Sequence, residues 1–253
     1  MLGARERKKR IYVTYPTHPL FLWVYLAVGL FMSLLVVRFP VIVASASYLP
    51  GRFALAALAS ALILLSPLLS FFNIAIATLR TGRLATIMEV KYVEFFGIPV
   101  PIPKLSLREV RTVLAINVGG ALVPIASSVL LSYLMLNSPG ARTYLYSVVV
   151  DLVATSLVTY FVARPVPGVG IAVPAFIPPL VAAFVSVISV GAFGVYAAAV
   201  AYVAGSLGSL VGADVLRLAR SYKELSAGLL SIGGAGVFDG VFMSGIIAFL
   251  LAL

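Results

Sequence analysis

The residues most able to do chemistry here are three aspartates, Asp151, Asp214 and Asp239, and each sits inside a long apolar run. The five glutamates, Glu6, Glu89, Glu94, Glu109 and Glu224, all fall in polar or basic stretches. A carboxylate at mid-bilayer costs at least about 2.5–3.5 kcal/mol on insertion scales, so such a group must face protein or water. Two embedded carboxyls sharing one proton across a water can hydrolyse a peptide bond. A single one can hold a proton or a cation. Asp151 precedes the end of its run at Ala163 by about 12 residues, and Asp239 follows the start of its run at Leu225 by about 14. Helical rise sets both about 18–21 Å from the same face. Asp151 has Ser147 and Thr155 at i±4. Asp214 has Arg217 at i+3 and lies close to its helix end, which predicts an ion-paired or capped terminus.

Other chemistries are excluded by residue types. There is no cysteine, and the single histidine, His18, precedes the first apolar run. Thiolate catalysis, a histidine-built metal centre and a Ser-His-Asp triad are therefore absent. No phosphate-binding loop, dinucleotide fingerprint or metal-ligand cluster is present, so neither a metal nor a cofactor is expected.

The elements that must position these acids are membrane helices. Hydrophobic residues make up 62% of the 253-residue chain and charged residues 10%, against roughly 25% charged in a soluble domain. About seven apolar segments are long enough to consider as spans: 19–37, 53–79, 112–136, 144–163, 174–192, 194–216 and 225–253. The fifth and sixth are divided only near Gly191–Gly194, so 174–216 is either a tight hairpin or one bent element. The first run has no small-residue cleavage site after it and reads as a span, not a leader. With the N-terminus inside, alternation puts only Arg38, Arg52 and Arg142 outside, and the rest of the 18 Lys and Arg inside. That bias predicts a cell-membrane protein, N-inside and C-outside. The net charge of +10 then reads as topology signal and contact with anionic lipid headgroups rather than nucleic-acid binding.

The expected fold is an all-α, polytopic integral membrane bundle. A basic cytoplasmic tail, 1–18, precedes a single transmembrane domain, 19–253. Within that domain 83–108 forms a cytoplasmic flap, because Thr86–Pro103 alternates polar and apolar residues and turns at Gly97-Ile98-Pro99, as a β-hairpin does. Its prolines make the second half an edge strand or a polyproline-like piece. Residues 164–179 are a Pro/Gly-rich internal segment that dips back as extended chain, with Arg164 as either a counter-ion for an embedded acid or a headgroup anchor. Backbone breakers accompany the acids. Asn117-Val118-Gly119-Gly120 leads to Pro124, which frees a helical carbonyl, and Gly233-Gly234-Ala235-Gly236 precedes Asp239. Broken helices of this kind line cavities in carriers or simply pack closely. Asn117, Gly119, Gly120, Arg164 and Gly236 are accordingly candidate ligand-binding positions.

These landmarks resemble a family of uncharacterised prokaryotic membrane proteins catalogued as domain of unknown function 1614. The resemblance rests on NVGGALVP at Asn117–Pro124, EVKYVEFFGIPVPIP, RPVPGVGIAVPAFIPP, GAD at Gly212–Asp214 and GGAGVFDGVF, and covers the chain from about residue 70. It implies a shared architecture and no particular activity. A looser similarity is to intramembrane aspartyl proteases of the presenilin and prepilin-peptidase type. Here Asp239 stands three residues after Gly236 rather than beside it, and Val173-Pro174-Ala175-Phe176 precedes the last acid. Three functions follow from the residues. Proton- or cation-coupled transport would use Asp239, with Asp151 assisting and Asn117 as an amide ligand. Intramembrane proteolysis would pair Asp239 with Asp151 or with Asp214. A lipid-binding scaffold would have no turnover. The partners expected are membrane lipids together with an ion, a small solute or a transmembrane peptide; the sequence leaves the oligomeric state open.

Overall fold

A computed structural model describes residues 10–15, 18–95, 98–168, 170–222, 224–225, 228–234 and 240–253. Helices dominate. After a short strand β1 (Ile11–Val13) come α1 (Pro19–Val36), α2 (Phe39–Ala46) and α3 (Arg52–Leu69). His18 is the N-cap of α1, its Nδ1 accepting the Leu20 N–H at 3.2 Å, with Pro19 in the first turn. Two strands follow, β2 (Phe72–Phe95) and β3 (Ile98–Asn117). A π-helical turn, Val118–Leu122, then opens α4 (Val123–Leu136), and α5 is Ala141–Val162. A small hairpin of β4 (Arg164–Val166) and β5 (Gly170–Ala172) leads to α6 (Ile177–Val190) and α7 (Val195–Ser209). The helix continues as a second π segment, Leu210–Arg217, and a last turn, α8 (Leu218–Ser221). Strand β6 (Leu229–Ile232) and helix α9 (Gly240–Ala252) complete the described chain.

The helices match the seven apolar segments, with corrections at their ends. Among the described residues five are long and apolar enough to cross a membrane: Pro19–Ala46, Arg52–Leu69, Val118–Leu136, Ala141–Val162 and Val195–Ser221. Ile177–Val190 and Gly240–Ala252 are shorter apolar helices. The 174–216 region is two helices that meet at 191–194, not one bent element. The first segment runs on past 37 through α2.

The expected all-α class is corrected by a mixed sheet of order β1-β2-β3-β6, in which β2 pairs antiparallel with β3 and β3 parallel with β6. The hairpin runs from Phe72 to Asn117, well beyond the 83–108 flap. Phe72–Leu79 and Thr112–Asn117 are as apolar as a helix, which is why they read as ends of spans. Their β-branched, alternating pattern nonetheless favours strand. The seventh segment is likewise cut, since β6 occupies Leu229–Ile232 and the described part of the helix is Gly240–Ala252. Helical rise from Leu225 therefore does not give the depth of Asp239.

The hairpin is a two-stranded ribbon for most of its length. β1 covers β2 only at Phe72–Ile74, and β6 covers β3 only at Val113–Ile116. At about 3.3 Å per residue its arms reach roughly 65–80 Å. Register shifts between Ala75 and Ala77 and between Arg80 and Leu84 add twist. Pro101 and Pro103 face Tyr92 and Val90 across the ladder. The outer side of β3 has no strand pairing there, as proline requires. Met88, Tyr92 and Leu105 are about 70% exposed on the distal ribbon. Excising 86–107 and joining Ala85 to Arg108 by an Asn-Gly turn is therefore expected to leave the bundle intact. The apparent melting temperature in detergent should move by no more than about 1–2 °C, the effect of a surface change. Aggregated or unfolded product would mean that the distal ribbon is packed on something the fold needs.

The core of the bundle is α7, where every residue from Ala197 to Ser206 is buried. Small residues let its neighbours approach, as in other membrane helix pairs. Gly208 lies against Thr155, and Gly212 against Ser156 and Thr159 of α5. On another face of α7, Gly205 meets Ser244 and Ala248 of α9.

Candidate functional site

A cavity of about 370 Å³ opens at the end of the bundle that carries the sheet. One side is β5 with the extended chain Val173–Ala175, and Pro178 in the first turn of α6 follows. The other side is Ser209, Ala213 and Asp214 of α7 and its π segment, with Ser231 and Gly234 from β6 and the turn after it. Gly240 and Val241 close it at the start of α9. The lining is more apolar than polar, and Asp214 is its one acid among the described residues.

The local fold explains how Asp214 comes to line a cavity. In a π segment the backbone bonds run i→i+5, so the surface neighbours expected at i+3 in an α-helix are displaced. Asp214 and Arg217 consequently do not form the predicted pair. The Arg217 guanidinium lies 5.6 Å from the Tyr160 ring centroid. Asp214 Oδ2 instead accepts the Gly233 backbone N–H at 2.6 Å. Gly233 has φ +86°, which only glycine adopts at little cost. A Cβ there would also lie 2.6 Å from Ala121 N and Gly120 C. The turn after β6 thus touches both π segments, packing on the first and hydrogen-bonding to the second.

Asp151 occupies a separate place. It is fully buried in α5. Its Oδ1 accepts from Thr155 Oγ1 at 2.9 Å, as the i+4 spacing predicts, and its Oδ2 has no hydrogen-bond partner. Ser147, the other i±4 neighbour, is buried with its Oγ unpartnered. The contacts of Thr155 with Gly208 and of Thr159 with Gly212 set α5 and α7 in parallel register. Asp214 is then level with residue 161 or so of α5, about ten residues or 15 Å below Asp151.

The ligand-binding candidates divide. Asn117 is fully buried and wholly engaged. Its Nδ2 donates to Ser70 O at 2.6 Å and Asn73 Oδ1 at 2.9 Å, and its Oδ1 accepts the Gly120 N–H at 2.7 Å. Gly119 sits where α3 passes, its carbonyl accepting from Ser66 Oγ at 2.7 Å. These residues tie β2, β3, α3 and the first π segment together, and meet the cavity wall through Asn73, which bonds the lining residue Ser231, and through the turn at Gly233. Arg164 is exposed on β4, opposite Ala172 of β5. Gly236 and Asp239 lie outside the described residues, and so do any pairs that Asp239 makes. Among the described residues no group of three His, Cys, Asp or Glu can hold a metal ion.

Two lining serines were not singled out in the sequence. Ser231 Oγ donates to Asn73 Oδ1 at 2.6 Å. Ser209 Oγ bonds Gly205 O at 2.6 Å and Ser244 Oγ at 3.0 Å. Ser231 opens the glycine cluster, which was the available signal. Ser209 carried none, because its role depends on the α7–α9 contact.

A family model described as "Protein of unknown function (DUF1614)" matches residues 68–251. The match takes in the ribbon, both π segments and the cavity. No curated protein and no solved structure matches the chain.

Proposed function

The chain belongs to the DUF1614 family of proteins of unknown function, and from that premise we propose that it is a multi-pass membrane carrier for a proton or another small cation, with Asp214 as a binding carboxylate. The observation that carries this reading is the cavity of about 370 Å³ with Asp214 on its wall. That carboxylate is oriented by the Gly233 N–H and has no cationic neighbour among the described residues. An acid that is the only one among the described residues of a mostly apolar chamber attracts a proton or cation, and no described residue gives it a competing counter-charge. The interrupted helix beside it is the kind of backbone that lines carrier sites. Placing the N-terminus and the basic ribbon in the cytoplasm, as the charge bias favours, makes the cavity a cytoplasmic-side chamber.

Proteolysis is less well supported. A shared-water pair needs carboxyls within hydrogen-bond reach of one water; Asp151 and Asp214, about 15 Å apart along the bundle, cannot both flank one water with Asp239, which lies outside the described residues. The test is flux into proteoliposomes of the full chain, read with an entrapped pH dye for protons and with radiolabelled sodium or potassium for cations. Asp214→Asn keeps the shape and removes the charge, and is expected to lower flux at least tenfold. Equal flux in variant and wild type would take Asp214 out of the mechanism, and no flux of any of the three ions in wild type would end the carrier reading.

A further inference from the structure

One face of α5 is buried, and it is polar throughout: Tyr144, Ser147, Asp151, Thr155, Ser156 and Thr159. Its outward residues, among them Val149, Val153 and Phe161, are apolar and exposed. Ser and Thr suit close packing in a membrane interface, but a buried aspartate in the middle of the face does not. Four groups on this face, Ser147 Oγ, Asp151 Oδ2, Ser156 Oγ and Thr159 Oγ1, are buried without a hydrogen-bond partner among the described residues. Each such group costs about 1–3 kcal/mol if left unsatisfied. Positions 147, 151, 155 and 159 repeat every fourth residue, so one polar group arrives about every 6 Å along the helix. A single water bridges a gap of that size.

We propose that Asp151 is a proton-binding carboxyl, loaded and unloaded through the α5 hydroxyls from the Asp214 cavity. This gives the carrier reading above its coupling ion and rests on that reading for its purpose, though not for its chemistry. The lower end of the seam lies behind the cavity wall, since Thr159 packs on Gly212, next in the chain to the lining residues Ala213 and Asp214. The far end is closed by Tyr144, whose hydroxyl bonds Ser132 Oγ at 2.8 Å. On unloading, the proton on Oδ2 passes to a seam water, and that water releases a proton toward Thr159. The carboxylate left behind keeps the Thr155 hydrogen bond. No other reactant is needed.

A proton suits the site better than a metal cation. Sodium requires several converging oxygens, whereas α6, which packs on α5, contributes Ser186, whose Oγ is already bonded to Ala183 O at 2.8 Å. The ionisable groups on the elements around α5 are otherwise engaged. On α7, Tyr202 OH bonds Ser127 Oγ at 2.8 Å and Tyr196 OH bonds Ser138 Oγ at 2.9 Å. On the second π segment Asp214 bonds Gly233 and Arg217 covers Tyr160. Tyr133 of α4 is exposed, and α6 carries no ionisable residue. None supplies Asp151 with a counter-charge.

Infrared titration of the full chain in lipid, with carboxyl-labelled aspartate, tests this without any transport assay. The chain has three aspartates, so the protonated-carboxyl region stays simple. The expected result is a labelled band that vanishes reversibly on raising pH, shifts in D2O, is lost in Asp151→Asn and persists in Asp214→Asn. If Asp151→Asn does not fold, Thr155→Val provides the assignment, because removing the Thr155 hydrogen bond shifts the Asp151 band. Thr159→Val is expected to slow deuterium exchange of that band at least tenfold. A band that persists in Asp151→Asn, does not move in Thr155→Val, or ignores both pH and D2O overturns the proposal. So does the absence of a titrating band in wild type. Loss of flux in Asp214→Asn with an unchanged Asp151 band leaves the two claims independently judged.

Discussion

Gly119→Ala is expected to leave little or no folded protein. The residue lies in the first π turn where α3 crosses, and a Cβ would be driven into Ser66 O and Ser70 N and lie 2.8 Å from Ser70 Cα. All three are backbone atoms of the end of α3. A side chain in the way can change rotamer, but a helix backbone must move as a body. Overpacking costs about 1–3 kcal/mol where neighbours can relax and more where they cannot, so about 3 kcal/mol or more is expected here. That is a large part of a typical stability of about 5–15 kcal/mol. The approach also brings Ser66 Oγ to the Gly119 carbonyl at 2.7 Å, and a displaced α3 would lose that bond as well. The measurement is the monodisperse fraction and melting temperature of detergent-purified protein, with a fall of about 6–12 °C or no folded fraction expected. Gly240→Ala is the control, since a Cβ there meets nothing within 4 Å. If both variants melt like wild type, the α3 crossing is not a close contact.

That glycine shows what could be read in the sequence and what could not. Asn117-Val118-Gly119-Gly120 predicts a break within a helix, whereas the structure ends β3 there and opens α4 with a π turn, so the helix begins at this point instead of being interrupted. What the pattern could not reveal is the direction of the close approach, which depends on α3 arriving from fifty residues earlier. The same holds at the acids. The i+4 bond from Thr155 to Asp151 is local and was legible. The Asp214–Arg217 pair failed because a π segment shifts the surface neighbours, and no propensity marks a π turn inside an apolar helix. The hairpin was recognised by its alternation and proline-bearing turn, but its inner ends were hidden in hydropathy. Phe72–Leu79 and Thr112–Asn117 are apolar enough to extend a span, and only pairing with each other, and with β1 and β6, makes them strands. The cavity was the least legible feature. Its walls come from five separate stretches of chain, and the contact that orients Asp214 is a backbone N–H.

The two π segments also organise the molecule. The first receives Asn117 and the ribbon, the second bears Asp214, and the turn at Gly233 connects them. The apolar cluster of Ala121, Leu210 and Val241, with Ile116 and Ile232 packed on it, lies at this junction. A displacement of the ribbon base would be transmitted to Gly233 and from there to the carboxylate. The hydrogen bonds that fix the ribbon base therefore bear on the geometry of the cavity.

Asn117→Asp is expected to be the more damaging of two simple changes at that base, although aspartate has the same shape as asparagine. The amide donates to Ser70 O and Asn73 Oδ1 while accepting from Gly120 N. Its orientation is fixed by what surrounds it. Asn73 Nδ2 is committed to Thr14 Oγ1 at 2.8 Å, and Asn73 Oδ1 already accepts from Ser231 Oγ at 2.6 Å, so neither amide can flip without losing bonds. An aspartate keeps the bond from Gly120 but turns a donor into an anionic oxygen facing two acceptors in a fully buried site. An uncompensated buried charge costs about 3–5 kcal/mol. Asn117→Ala leaves polar groups unsatisfied at about 1–3 kcal/mol each but adds no charge, and a water can enter the space left. The order of melting temperatures in detergent at neutral pH is therefore expected to be wild type, then Asn117→Ala, then Asn117→Asp. Asn137→Asp, at a half-buried position whose Nδ2 bonds Tyr133 O, should shift stability by less than either change at Asn117. If Asn117→Asp melts with wild type, the amide's donors do not hold the ribbon to the bundle, and the link from ribbon base through Gly233 to Asp214 loses its anchor.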